Sequence, residues 1–168
     1  MMVKNLNFLK EANCRLIKYK NIVHERTEDA PFIGALICAV DCKFNCIDCF
    51  NQHLKEIKTQ QDSAENIINN IKENPFNRGI ILGGLEWSLQ PFDLRELIDE
   101  ALHNELQVML YTGMTENEFK IIFTDIYNKP IYIKFEQYKI DLHVNNYYSY
   151  GVRLASSNQY ITTLKERI

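Results

Sequence analysis

Residues 31–53 read PFIGALICAVDCKFNCIDCFNQH and join two stretches of opposite character. Pro31 to Val40 is a continuous apolar run of strand length, suited to burial on both faces. Asp41 to about His53 is polar and holds Cys42, Cys46 and Cys49, three of the five cysteines in the chain. A buried strand that opens into a ligand-rich loop suits an α/β fold, in which binding groups gather beyond the C-terminal ends of the strands.

The segments downstream keep the same rhythm. Asp62 to Lys72 spaces Ala64, Ile67, Ile68 and Ile71 as one helical face, with Asp62 or Ser63 as N-cap. Gly79 to Leu82 is a short strand that runs into Gly83-Gly84. Pro91 to Asn104 reads as a helix with Leu94, Leu97, Ile98, Ala101 and Leu102 on its apolar face and Pro91 at its start. Gln107 to Tyr111 is a strand ending at Thr112-Gly113. Thr115 to Tyr127 is a helix in which Thr115 and Glu118 form a capping box. Ile131 to Phe135 is a further strand. Upstream, Cys14 to Glu25 alternates as an additional strand. Beyond Asp141, loops are expected around Asn145-Asn146 and from Ser156 to Gln159.

The expected fold is therefore α/β with a mainly parallel sheet. A closed barrel of eight units needs about 250 residues. The 168 residues present are read as one domain, a partial, open β/α barrel of about five or six units. The cysteine loop, Gly83-Gly84 and Thr112-Gly113 all fall at strand ends. No internal repeat or low-complexity tract interrupts the chain.

Composition bounds the function. Hydrophobic residues make up 46% and aromatics 11%, the range of a globular protein. The formal net charge of −3, without a basic stripe, argues against nucleic acid as a partner. The longest apolar-leaning run, Ala30 to Val40, is too short for a bilayer, which needs roughly 20 residues. The first residues, MMVKNLNFLKEANCRL, lack the apolar centre of a signal peptide, so a soluble, cytoplasmic protein is expected.

An odd cysteine count without an export signal does not suggest a disulfide framework. Cys14 and Cys38 fall on strand-like segments and read as core residues. The remaining three are spaced C-x3-C-x2-C. Iron–sulfur clusters require thiolates, and three ligands on a four-iron cube leave one iron open to a small molecule. A second reading adds His53 to Cys42, Cys46 and Cys49 as a Cys3His zinc site in a binding module. His24, His103 and His143 are scattered and read as surface or satisfied core residues.

The C-x3-C-x2-C loop after a buried strand resembles the signature of the radical S-adenosylmethionine (SAM) superfamily. That resemblance implies a [4Fe–4S] cluster on Cys42, Cys46 and Cys49. SAM would be chelated through its methionine moiety at the open iron and reductively cleaved to a 5′-deoxyadenosyl radical. IILGGLE, residues 80–86, resembles the family's Gly-Gly-Glu-Pro motif, which implies SAM contacts at Gly83, Gly84 and Glu86. Here Leu85 is inserted before Glu86, and Trp87 takes the proline position. The family's aromatic residue before the last cysteine is Asp48 in this chain, with Phe50 following, so the candidate neighbours of the adenine are Phe50 and the backbone at Asp48.

Three stretches resemble one branch, the activating proteins of anaerobic ribonucleoside-triphosphate reductase. They are Cys49-Phe50-Asn51, VMLYTG at residues 108–113, and Ser156-Ser157-Asn158-Gln159. The branch implies cofactor contacts at Phe50, Asn51, Thr112 and Gly113, and a partner reductase subunit that receives a glycyl radical. It also implies an electron donor such as flavodoxin or ferredoxin. A radical SAM enzyme acting on another protein, a peptide or a small metabolite is the alternative within that chemistry. Tyr147, Tyr148 and Tyr150 suit packing and partner contact equally.

Overall fold

The computed structural model describes residues 15–168. The reading of Cys14 as a core residue and as the start of a strand lies outside them. The strand expected within Pro31 to Val40 is β3 (Gly34–Cys38), buried almost throughout. It pairs in parallel with β5 (Gly79–Gly83), which pairs in parallel with β6 (Gln107–Tyr111), which pairs in parallel with β7 (Tyr132–Phe135). Near-continuous aliphatic runs in these strands reflect a sheet covered on both faces.

Alternate side chains divide between two layers, as the two-residue period of a strand requires. Ile80 and Leu82 of β5 and Val108 and Leu110 of β6 join the larger cluster beneath the helices. The residues between them, Ile81 and Met109, face the other way with Val152 and Leu154. The helical layer comprises α1 (Ala64–Glu73), α2 (Pro91–His103), α3 (Glu116–Ile122) and α4 (Thr124–Tyr127). Ala64, Ile67, Ile68 and Ile71 of α1 are buried, as are Leu94, Leu97, Ile98 and Ala101 of α2. Ser63 caps α1 by accepting from the Asn66 N–H, and the Thr115–Glu118 capping box starts α3.

The opposite face is covered by a hairpin of β8 (His143–Ser149) and β9 (Val152–Ser156). Two antiparallel strands close the edges of the main sheet: β2 (Ile22–Arg26) beside β3, and β10 (Tyr160–Thr162) beside β7. A short β1 (Ile17–Tyr19) pairs instead with β4 (Gln60–Asp62), and α5 (Leu164–Arg167) ends the chain.

Four expectations need correction. Among the described residues the parallel core has four strands and three helical crossovers, fewer than the five or six units expected, because the chain returns after Phe135 as a hairpin. The N-terminal strand breaks at Lys20-Asn21 into β1 and β2, which join different sheets. The helix after Thr115 breaks at Phe123, whose backbone leaves the helical region at φ −120°, ψ 44°. Asn145-Asn146 is not a loop. Both residues lie inside β8, where the register shifts between His143 and Tyr147, and the turn falls at Tyr150-Gly151, both with positive φ (52° and 76°). Positive φ at both central residues gives a two-residue turn the twist a hairpin needs.

Candidate metal centre

The C-terminal ends of β3, β5, β6 and β7 open onto one cavity of about 450 Å³. That is within the range of roughly 300–1,000 Å³ typical of small-molecule sites. Cys42, Cys46, Cys49, Phe50, Asn51, Gly84, Glu86, Thr112 and Gly113 all line it, although they come from three separate strand ends. Gly83 does not. It is the last residue of β5, held between the Leu36 and Tyr111 side chains, and the turn begins one residue later at Gly84.

The cysteine loop is built by local sequence. The Asp41 carboxylate accepts from the Cys42 N–H at 2.7 Å, and the Cys49 N–H donates to the Cys46 carbonyl at 3.3 Å. Asp48 takes the left-handed conformation (φ 59°) and turns the chain between the second and third thiols. Cys42, Phe44, Cys46 and Cys49 are half-buried, while the residues between them are exposed. Phe44 packs its ring on Gly113, where a Cβ would stand 2.7 Å from two ring carbons. Gly113 therefore seats the loop as well as lining the cavity. Phe50, 90% exposed, stands at the lip.

Glu86 ties two strand ends together. Its buried carboxylate accepts from Thr112 Oγ1 (2.9 Å), the Gly113 N–H (2.8 Å) and the Ser88 N–H (3.1 Å). Gly84 lies directly over Cys38 with φ +74°, and a Cβ there would stand 2.6 Å from the Cys38 sulfur. Cys38 itself is core, as expected, and burial raises its thiol to about 11.

Several cavity groups escaped sequence reasoning. Lys134 is buried and donates to the Glu136 carbonyl at 2.6 Å. Burial pushes its ammonium down to about 8, against the opposing influence of Glu86, Cys46 and Glu136. The available signal was a charge near the end of the apolar strand IYIKF. Gln137 reaches the Cys46 sulfur at 3.9 Å. The Ser156–Gln159 segment clips the tail to that same stretch: Asn158 donates to the Gln137 carbonyl and Gln159 to the Glu136 carbonyl, while the Gln159 amide oxygen accepts from the Ala155 and Ser156 N–H groups. His143 is exposed, as expected of a surface residue, and borders the cavity near Tyr138, whereas Asp141 does not reach it.

Among the described residues, no three His, Cys, Asp or Glu side chains are gathered as one metal ion requires. His53 is exposed in a short 3-10 turn (Gln52–Glu56) and does not line the cavity, so the Cys3His zinc set is not assembled. In a cubane each thiolate binds a different iron, and all three thiols line the one cavity. Burial raises the Cys42 and Cys46 thiols above their ordinary range, which binding of any metal to the thiolates would offset. No described helix is long and apolar enough to cross a membrane.

A family model described as a 4Fe-4S single cluster domain matches residues 33–150. The match runs from just before β3 to the hairpin turn and includes the three thiols, Glu86 and Lys134. No curated protein matches the chain.

Proposed function

Because the chain belongs to the 4Fe-4S single cluster domain family, a domain found in radical-SAM-related proteins, we propose that it is a radical SAM enzyme. Its open sheet is a partial β/α barrel reduced to four parallel strands, working in the cytoplasm. The observation that carries this reading is the meeting of three thiols, a buried carboxylate and a buried ammonium in one cavity at the strand ends.

Cys42, Cys46 and Cys49 would hold the cluster and leave one iron free. When bound, the reduced cluster supplies an electron that cleaves SAM to methionine and a 5′-deoxyadenosyl radical. The protein's own groups orient the substrate. Glu86 is positioned to accept from the methionine ammonium, and Gly84 lets the backbone approach it. Lys134 supplies a cation for the carboxylate, and the aromatic groups of Phe44, Tyr111 and Tyr138 give the cavity apolar wall for the adenine. Phe50 and Asn51 stand at the rim, with Thr112 and Gly113 fixed by Glu86 below.

The substrate is a protein, the large subunit of an anaerobic ribonucleotide reductase, on which a glycyl radical is installed. A short open sheet has little material to enclose a radical, and a docked partner would complete the enclosure. The electron comes from a donor such as flavodoxin or ferredoxin. The test is electron paramagnetic resonance of a mixture of reduced, reconstituted protein, SAM and the reductase subunit. A glycyl doublet that requires all three components supports the reading. SAM cleavage without the doublet would move the substrate to another protein, a peptide or a small metabolite.

A further inference from the structure

Two lysines outside the cavity hold one flank of the cysteine loop. Lys20 lies between β1 and β2 and is only 6% exposed, unusual for a charged side chain. Its ammonium donates to the carbonyls of Lys55 (2.9 Å) and Ile57 (2.6 Å). These carbonyls sit at the C-terminal end of the 3-10 turn that follows the cysteines, where a cation is favoured. The backbone around Lys20 is fixed as well, since its N–H donates to the Cys38 carbonyl and its own carbonyl accepts from Gln60.

With its backbone held there, Lys55 reaches back to the first cysteine. Its ammonium donates to the Cys42 carbonyl at 2.9 Å and lies 3.6 Å from Asp41 Oδ1. The same carboxylate oxygen accepts from the Cys42 N–H. The two peptide groups flanking the Cys42 side chain are thus each held, one through Asp41 and one through Lys55. The Lys55 side chain is 31% exposed, so solvent and salt screen its charge only in part. Reduction potentials of iron–sulfur clusters follow net local charge, hydrogen bonding and exposure.

We propose that Lys55, seated by Lys20, positions the Cys42 peptide and sets the reduction potential of the metal centre, its ammonium favouring the reduced form. The step is a one-electron transfer from the sulfur dioxide radical anion of dithionite, which is oxidised to sulfur dioxide, and it lowers the core charge of the cluster by one. No bond forms or breaks, and no proton moves. The proposal rests on the cluster assignment and is independent of the SAM reading.

The experiment uses the full chain reconstituted with iron and sulfide under anaerobic conditions, as wild type, Lys55→Gln, Lys55→Arg and Lys20→Met. Midpoints are read by dithionite titration followed by electron paramagnetic resonance, with iron content measured on the same samples. Lys55→Gln, which keeps a donor and loses the charge, shifts the midpoint negative. Lys55→Arg keeps the wild-type value, and Lys20→Met shifts it negative because Lys55 loses its seat. A Lys55→Gln midpoint equal to wild type overturns the proposal, as does a Lys55→Arg midpoint displaced equally far. If Lys55→Gln holds no cluster, Lys20→Met decides: a negative shift supports the proposal and a wild-type midpoint overturns it. A wild-type chain that takes up no cluster overturns the proposal and the cluster assignment together.

Discussion

Glu86→Gln changes one atom and tests how the strand ends are joined. The wild-type carboxylate accepts from Thr112 Oγ1 and the Ser88 N–H on one oxygen, and from the Gly113 N–H on the other. An amide cannot satisfy all three. With its oxygen toward Gly113, its NH2 group faces the Ser88 N–H. In the other orientation it faces the Gly113 N–H. Either way a backbone donor loses its acceptor, and the remaining bonds lose their charge assistance. An orphaned donor costs about 1–3 kcal/mol, and charge-assisted bonds are worth about 1.5–3 kcal/mol. We take roughly 2 kcal/mol for the whole change. For a chain of this size that is about 4–8 °C in melting temperature. The assay is thermal unfolding of the metal-free protein by circular dichroism, with Thr112→Val and the double variant completing a cycle. Additive losses, or a Glu86→Gln melting temperature within about 1 °C of wild type, would refute the bridging role.

Other substitutions test the loop and its floor. Gly113→Ala places a Cβ against the Phe44 ring, an overpacking of about 1–3 kcal/mol, so iron retained after desalting falls below wild type. Retention equal to wild type would contradict the Phe44 seat. Cys38, buried and with its thiol raised to about 11, stays unmodified by iodoacetamide at neutral pH in the folded metal-free protein and labels once denatured. Peptide mapping that found native Cys38 labelled as fast as a free thiol would contradict its place under Gly84. Trp87→Phe removes the indole N–H that donates to the Ile37 carbonyl at 3.0 Å in a fully buried site. It costs about 1–3 kcal/mol, read as a lower urea midpoint; an unchanged midpoint would count against that bond.

The parallel core was legible because each strand there is a short aliphatic run and each helix carries a periodic apolar face. Ile67, Ile68 and Ile71 could not alternate as a strand and pack as they do on α1. The helix break at Phe123 carries no Pro or Gly, so nothing local marks it. The hairpin was hidden for a similar reason: HVNNYYS lacks clean alternation, and its turn uses Tyr150-Gly151 rather than an Asn-Gly or Asp-Gly pair. Of the site, the thiols were readable from spacing, Gly84, Thr112 and Gly113 from their place at strand ends, and Glu86 from the resemblance to the Gly-Gly-Glu-Pro motif. Lys134 and Gln137 were not, and Gln159 was marked only as part of the Ser156–Gln159 resemblance. Their roles arise only when the sheet brings β7 beside the loop, as when Gln137 meets Cys46 from 91 residues away.

The central claim is that three thiols hold a cluster whose open iron acts on SAM. Its most direct test is 5′-deoxyadenosine formation by anaerobically reconstituted protein given dithionite and SAM, with iron counted on the same sample. The account predicts about four irons per chain, together with 5′-deoxyadenosine that disappears in Cys42→Ala, Cys46→Ala and Cys49→Ala proteins. A colourless protein binding a single zinc and forming no 5′-deoxyadenosine would contradict it.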